Sequence, residues 1–465
     1  MARNRVPNWL LLSLALVLVI AARDATCKLS CLDQEGKPVD WYMGYKFPIL
    51  EEDESSQLFS KGVAYSYITD DDNVEDGDMN IGDVTIREVE EDSESKMFLH
   101  RFGDLLLKYI GYKSPKKAQS KGRKVSGNRY ANRSSWQASD KAIDDPESVL
   151  MRTLSIAYDA SSGQTVSSVF YNDEPPEVGY KSSGKPKARH NSLRAHAKGV
   201  LLMEDMSGDG VWIAHSIPAF PTPRNLPLKY PSSAYRNGQT FMCISFDLNK
   251  SAKQIVGHLV NMRPLVYDLN VSKTLYERFP ALNDLDLEEN IKRKRIKTEP
   301  KLSQYITTKL GQVLHLFSKD KAFNKDLYAG WIDEEIGSDL YVATWRTGNG
   351  GPLNSSCPSS DYHINNVIDL KYDAETSWSF YKDHSKWAIS ERRELGVVCI
   401  ADSNRMESQF KRGGGAVCIR CSTCWTVFDN TIREVEACPR QKKKESRKGI
   451  ADHTIMSQIR SALHL

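Results

Sequence analysis

The sequence predicts an α/β fold built from two similar halves, and three observations carry that reading. Runs with strand and helix patterns alternate twice along the chain, as a layered α/β protein requires. The length, 465 residues, suffices for one large core or two ordinary ones. A His-x-Lys triplet stands at the edge of an apolar run once in each half, as His196 and Lys198 in "RAHAKGVLL" and as His384 and Lys386 in "YKDHSKWAIS". One such triplet carries no information; two in matching contexts are a pattern.

Taken in order, the chain opens with Arg3 and Arg5, an apolar run from Trp9 to Ile20 and a small, polar exit from Ala21 to Thr26. This is the pattern of a secretory signal peptide, residues 1–25, cut between Ala22 and Thr26. The apolar run is short of the about 20 residues that a membrane span needs, and no membrane contact is expected after cleavage. An N-terminal half is expected over 26–265, a C-terminal half over 266–440 and a basic tail over 441–465.

Within the first half, "WYMGYKFP" reads as a strand ended by Pro48, and "GVAYSYITD" as a second. From 72 to 144 the composition turns acidic, passes through an amphipathic helical pattern at Phe98–Lys113, and then turns basic. That is expected to be a charged, mostly disordered insertion. A helix starting near Pro146, strands at "VSSVFYN", "HAKGVLLME", "GVWIAHSIPAF" and "GQTFMCISFDL", and a helix at Ser251–Met262 follow. The second half offers strands at Asp339–Thr347, Asn366–Tyr372, "SKWAIS" and "GVVCIADSN". "RGGGAVC" reads either as a plain glycine-rich turn or as a loop bringing backbone N–H groups to phosphate.

The net charge of +3 is too small to argue for a nucleic-acid partner by itself. Nine cysteines suit an oxidising compartment, and Asn132, Asn249, Asn270 and Asn354 each open a glycosylation acceptor. Cys418, Cys421 and Cys424 have zinc-ligand spacing, but no further ligand pair follows, so disulfides are preferred and no metal site is expected.

On a strand, residues i and i+2 share a face, so each His-x-Lys would present an imidazole and an ammonium together. Two such faces around one spot suit a phosphate: the lysines neutralise its oxygens, and the imidazoles act as nucleophile and acid. An unperturbed imidazole titrates at about 6.5, which favours acid pH. No cofactor is required.

Several ordered stretches, "PVDWYMGYKFP", "YNDEPP", "HAKGVLLMED", "GVWIAHSIPAFP", "GSDLYVATW", "DHSKWAIS" and "CIADSNRMESQFKRGGGAVC", make the chain resemble the deoxyribonuclease II family, and more distantly the phospholipase D superfamily. The resemblance implies a phospholipase D-like pseudo-dimer of two similar α/β sandwich halves with the active site between them. It implies an acid, metal-independent endonuclease that cuts DNA to 3′-phosphate ends through a phosphohistidine, in lysosomes or outside the cell, with DNA as partner, little sequence preference and a homodimer allowed. It assigns catalysis to His196, Lys198, His384 and Lys386, with His196 as nucleophile and His384 as acid by analogy with the superfamily. His215, Asp402 and Asn404 match supporting or phosphate-binding positions. Glu204 stands where close relatives carry Asp, one methylene longer, which puts its role in doubt. The family's disulfides would join Cys31 to Cys243, Cys357 to Cys438 and Cys399 to Cys418, leaving Cys421 and Cys424 to pair with each other or with Cys27. Two other readings compete: a phosphodiesterase acting on a phospholipid or oligonucleotide, and a secreted DNA-binding protein without turnover.

Overall fold

The computed structural model describes residues 29–50, 57–73, 136, 138–159, 166–176, 194–285, 297–358 and 361–438. The signal peptide, the Phe98–Lys113 helix, Asn132, Cys27 and the basic tail lie outside these residues.

Long apolar runs become strands buried on both faces, which is what a sheet covered on each side demands. After a short hairpin, β1 (Cys31–Leu32) with β2 (Pro38–Val39), the first sheet takes β3 (Trp41–Lys46), β4 (Tyr65–Thr69), β5 (Ser167–Asn172), β6 (Lys198–Glu204), β7 (Asp209–His215), β8 (Gln239–Asp247) and β9 (Val266–Asn270). Its seven strands run in the order β4-β3-β8-β7-β6-β5-β9, all neighbours antiparallel. The second sheet takes β10 (Lys301–Thr307), β11 (Val313–Lys319), β12 (Leu340–Ala343), β13 (Ile364–Lys371), β14 (Ser377–Ser379), β15 (Trp387–Ser390), β16 (Val397–Ala401), β17 (Gly414–Arg420) and β18 (Ile432–Val435). Its order is β10-β11-β17-β16-β15-β12-β13-β14, with β18 also on β13. The succession β4-β3-β8-β7-β6-β5-β9 thus has a counterpart in β10-β11-β17-β16-β15-β12-β13, except that β12 and β13 are parallel. The architecture is mixed α/β, with few helices.

Apolar residues of both sheets, among them Met242, Ile244, Trp387, Ile400 and Val417, belong to one buried cluster. It also takes in helix α1 (Lys253–Met262) and helix α2 (Ser422–Thr431). The opposite face of the first sheet is covered by the short helix Val149–Ser155, and that of the second by Tyr328, Trp331 and Ile332. Trp387, expected in the core, is fully buried.

Several expectations need correction. The helix after Pro146 begins later, at Val149, because the Ser148 hydroxyl caps it by accepting the Met151 N–H at 3.2 Å. The C-terminal end of the charged insertion is packed: Trp136 is buried beside Tyr45 and Phe428 and donates to Thr431 Oγ1 at 2.9 Å, and Ile143 is fully buried. "RGGGAVC" is largely strand β17, and its glycines answer to packing. A Cβ on Gly413 would lie 2.0 Å from the Met262 carbonyl oxygen. The hairpin β10–β11 and helix α2 were not read from the sequence at all.

The three disulfides expected from the resemblance are present, and Cys421 pairs with Cys424. Cys418, Cys421 and Cys424 are thus all in disulfides, the reading preferred over zinc ligation. Among the described residues no helix is long and apolar enough to cross a membrane.

Candidate active site

The two histidines do not lie on strands, although Lys198 opens β6. His196 precedes β6 and His384 precedes β15, in irregular lead-ins whose backbone bonds run to the other half of the chain. The His196 N–H donates to the Gly413 carbonyl at 3.0 Å, and the His384 N–H donates to the Gly238 carbonyl at 2.9 Å. Each half therefore holds the other's histidine. Both acceptors must be glycine, since a Cβ on Gly238 would meet the Asp383 carboxylate at 2.8 Å, as one on Gly413 would meet Met262.

Two buried lysines hold the loops that carry these glycines. Lys46, at the end of β3, donates through Nζ to the carbonyls of Tyr235 (2.7 Å) and Gly62 (3.1 Å). Lys319, at the end of β11, donates to the carbonyls of Gln409 (2.8 Å), Phe410 and Arg412. β3 and β11 occupy matching places in the two sheets. Burial pulls Lys319 down to about 8 and Lys46 well below the usual amine range.

Around the first triplet the structure sets a carboxylate that sequence reasoning missed. Asp173, one residue past β5, is fully buried. Its oxygens accept from Lys198 Nζ and, at 2.9 Å, from Arg412 Nη2, and His196 Nε2 lies 3.8 Å away. Burial alone would raise this carboxyl, but Lys198, His196 and Arg412 hold it far below the usual range. The signal was within "YNDEPP": a charged residue two positions past the apolar run Val169–Tyr171 is either exposed or paired.

At the second triplet the buried Asp383 carboxylate accepts the Ser385 N–H at 2.7 Å. The Trp345 ring packs on His384 with centroids 4.4 Å apart, and Lys386 Nζ donates to the His384 carbonyl at 2.8 Å. Burial and then the charges of Lys386, Lys198 and Lys46 push His384 down to about 3. His196 is lowered too, by burial first, with Asp173 opposing and Lys198, Lys386 and Arg412 assisting. The two triplets lie in each other's field: Lys386 acts on His196, and Lys198 acts on His384.

The other expected residues divide. Asp402 follows β16; its Oδ2 accepts the Gly415 N–H at 3.1 Å, and burial, opposed by Lys198 and Lys386, raises it to about 7. Lys386 is lowered to about 7 by burial and by Lys198. His215 is buried, its Nδ1 accepting the Ile217 N–H at 3.1 Å, so its proton sits on Nε2. Burial and Lys198 bring it to about 3. Three buried polar atoms here have no hydrogen-bond partner: His196 Nδ1, His215 Nε2 and Asn404 Oδ1. Such orphans call for a ligand or water.

Glu204 does not join this group. It ends β6, six residues from Lys198, which at about 3.3 Å per residue is about 20 Å away. Its carboxylate instead caps the β6–β7 turn by accepting the N–H groups of Met206 and Ser207. Among the described residues no cluster of three His, Cys, Asp or Glu is placed to hold a metal ion.

The family model for deoxyribonuclease II matches residues 30–95 and 108–438. This chain belongs to the deoxyribonuclease II family. Relatives along most of its length are Plancitoxin-1 of Acanthaster planci, 30% identical over 91% of this chain and 97% of that protein, and Deoxyribonuclease-2 of Caenorhabditis elegans, 29% identical over 88% and 94%. Deoxyribonuclease-2-alpha of Sus scrofa is 32% identical over 72% of this chain and 88% of its own. As a deoxyribonuclease II-like protein, the chain has its matched region running through both triplets, Asp173 and the residue 409–413 loop.

Proposed function

We propose that this family member is an acid endonuclease that hydrolyses DNA phosphodiester bonds without a metal ion, leaving 3′-phosphate and 5′-hydroxyl ends. The two sheets would be the halves of a phospholipase D-like pseudo-dimer, with the reacting phosphate between the triplets. The observations that support the reading are the charge of each triplet's lysine felt at the other's histidine, Lys386 at His196 and Lys198 at His384, and the backbone bonding of His196 to Gly413 and His384 to Gly238.

In this mechanism Lys198 and Lys386 neutralise the non-bridging oxygens of the phosphate. The neutral His196 ring attacks phosphorus, and the P–O5′ bond breaks. The leaving oxygen takes the proton of His384, giving a 5′-hydroxyl. Asp173 supports the positive charge that His196 acquires on phosphorylation. Water then attacks phosphorus, His384 accepts its proton, the P–N bond breaks and a 3′-phosphate leaves. The neutral His215, with its free Nε2–H, and Asn404 are placed to contact phosphate.

Acid pH favours this chemistry for a reason specific to the site. Between pH 7 and 5, Asp402 becomes neutral and Lys386 becomes fully charged, since both titrate at about 7. The site grows more positive as pH falls, and a bound phosphate anion restores the proton of His384. Four disulfides and the exposed acceptors Asn249, Asn270 and Asn354 support a lysosomal or secreted setting.

The test is a plasmid-nicking assay at pH 5 in EDTA. Nicking by the wild type and none by His384→Ala is the expected result. A requirement for magnesium would overturn the mechanism, and turnover of phospholipid alone would overturn the substrate.

A further inference from the structure

The proposed mechanism makes no use of Arg412, although this residue crosses from the second half of the chain into the first triplet. Its buried guanidinium acts as a fork. Nε donates to the Arg194 carbonyl at 3.0 Å, and Nη2 donates to Asp173 Oδ2 at 2.9 Å, with the Ala195 carbonyl 3.5 Å away. The next residue, Gly413, accepts the His196 N–H at 3.0 Å. Residues 194–196 are thus tied to residues 412–413, and the Arg412 carbonyl is itself held by Lys319 Nζ.

Asp173 Oδ2 is where Arg412 and His196 compete. His196 Nε2 lies 3.8 Å from this oxygen, beyond hydrogen-bond distance, while Arg412 occupies it. Lys198 takes Oδ1. With both oxygens engaged, the carboxylate is held off the ring. A carboxylate bonded directly to an imidazole stabilises the protonated ring, which has no lone pair to offer phosphorus. Burial disfavours that charged form of His196 most, Asp173 past β5 favours it, and Lys198 on β6, Lys386 before β15 and Arg412 oppose it. Beyond this ring of charges, Glu174 and Asp402 act on Lys386, and His215 lies in the field of Lys198.

We propose that Arg412 is a positioning residue for His196: by occupying Asp173 Oδ2 it keeps the carboxylate out of hydrogen-bond reach of the imidazole, so that the ring stays neutral for attack on phosphorus. Asp173 remains near enough to support the charge that the ring gains once phosphorylated. This deepens the nuclease reading, on which it rests. Lysine is no substitute, since a single ammonium lacks the planar fork that meets the Arg194 carbonyl and Asp173 together.

The experiment follows kcat/KM for plasmid nicking by the full-length protein from pH 4 to 7 in EDTA, because the acid limb of that profile reports the base of the free enzyme. In Arg412→Met the acid limb is expected to move up by about one pH unit or more, as loss of a charge at this range does. The loss of activity is then largest at the acid end, in kcat more than in KM. Arg412→Lys moves the limb the same way by less. Adding Asp173→Asn to Arg412→Met brings the limb back down, since the competing carboxylate is gone. Arg433→Met, which breaks the pair with Asp369 at 3.4 Å on β18 and β13, leaves the profile unchanged. An equal loss at every pH in both Arg412 variants, or a limb that moves down, would overturn the role. Imidazole NMR of histidine-labelled protein reads the same titration without turnover, with the His196 signal identified by His196→Gln. A signal that titrates at the same pH in wild type and Arg412→Lys also overturns the role. A signal that titrates higher in Arg412→Lys, in a protein whose wild type cuts no DNA, would sink the nuclease reading and leave the positioning role standing.

Discussion

The two triplets share a plan and differ in one neighbour. In each, an irregular lead-in is bonded to a glycine of the other half, and that glycine's loop hangs from a buried lysine. The strand on the matching side, β5 or β12, then delivers a different side chain: Asp173 beside His196, Trp345 beside His384. One imidazole faces a carboxylate and the other faces an indole among cations. The two sheets share a strand order, and the proposed division of labour rests on what stands one or two residues past two strand ends.

The largest effect that would sharpen this comparison comes from the histidines themselves. His196→Ala and His384→Ala are each expected to lower nicking by at least 10²–10⁴-fold, the range of about one lost acid or base. His384→Ala should show little change in melting temperature. Next is Asp173→Asn, which leaves Lys198 and Arg412 buried without their anion. Removal of one partner of such a group costs about 3–5 kcal/mol, so chemical denaturation should show a large loss, while Trp345→Phe should show little. Equal destabilisation by the two would break the asymmetry.

The lysine pair offers a smaller effect. Lys46→Met and Lys319→Met each strand buried carbonyls, at about 1–3 kcal/mol apiece. Lys319→Met should act more strongly, because Lys319 holds three carbonyls and Lys46 two. Denaturation midpoints of the two variants check the order.

A further effect is on pH stability. His215 and His258 are buried and titrate at about 3 in the fold, against about 6.5 unfolded. Between these values the unfolded chain binds more protons, so stability falls as pH falls, by about 1.4 kcal/mol per pH unit for each histidine. His258→Leu should flatten part of that slope in urea titrations at pH 4–6.

Much of this was legible along the chain. Alternation and apolar runs marked β3, β6, β7 and β8, and the triplets stood out by repetition. The hairpin β10–β11 was hidden behind a densely charged stretch, although Leu302, Tyr305, Leu314 and Leu316 sit on either side of a Gly-containing turn. The glycines of "RGGGAVC" looked like loop residues because close packing and loop freedom leave the same mark in a sequence.

The sequence by itself determined that segments such as β3, β6, β7 and β8 are buried and that two imidazole–ammonium pairs exist, since burial of such runs is written in local periodicity. Only the tertiary structure decided that Asp173 and Arg412 meet at His196, that Glu204 is left at the far end of its strand, and that Trp345 covers His384. Those neighbours are set by the order of strands in each sheet and by backbone bonds between residues far apart in the chain, and no local pattern encodes either.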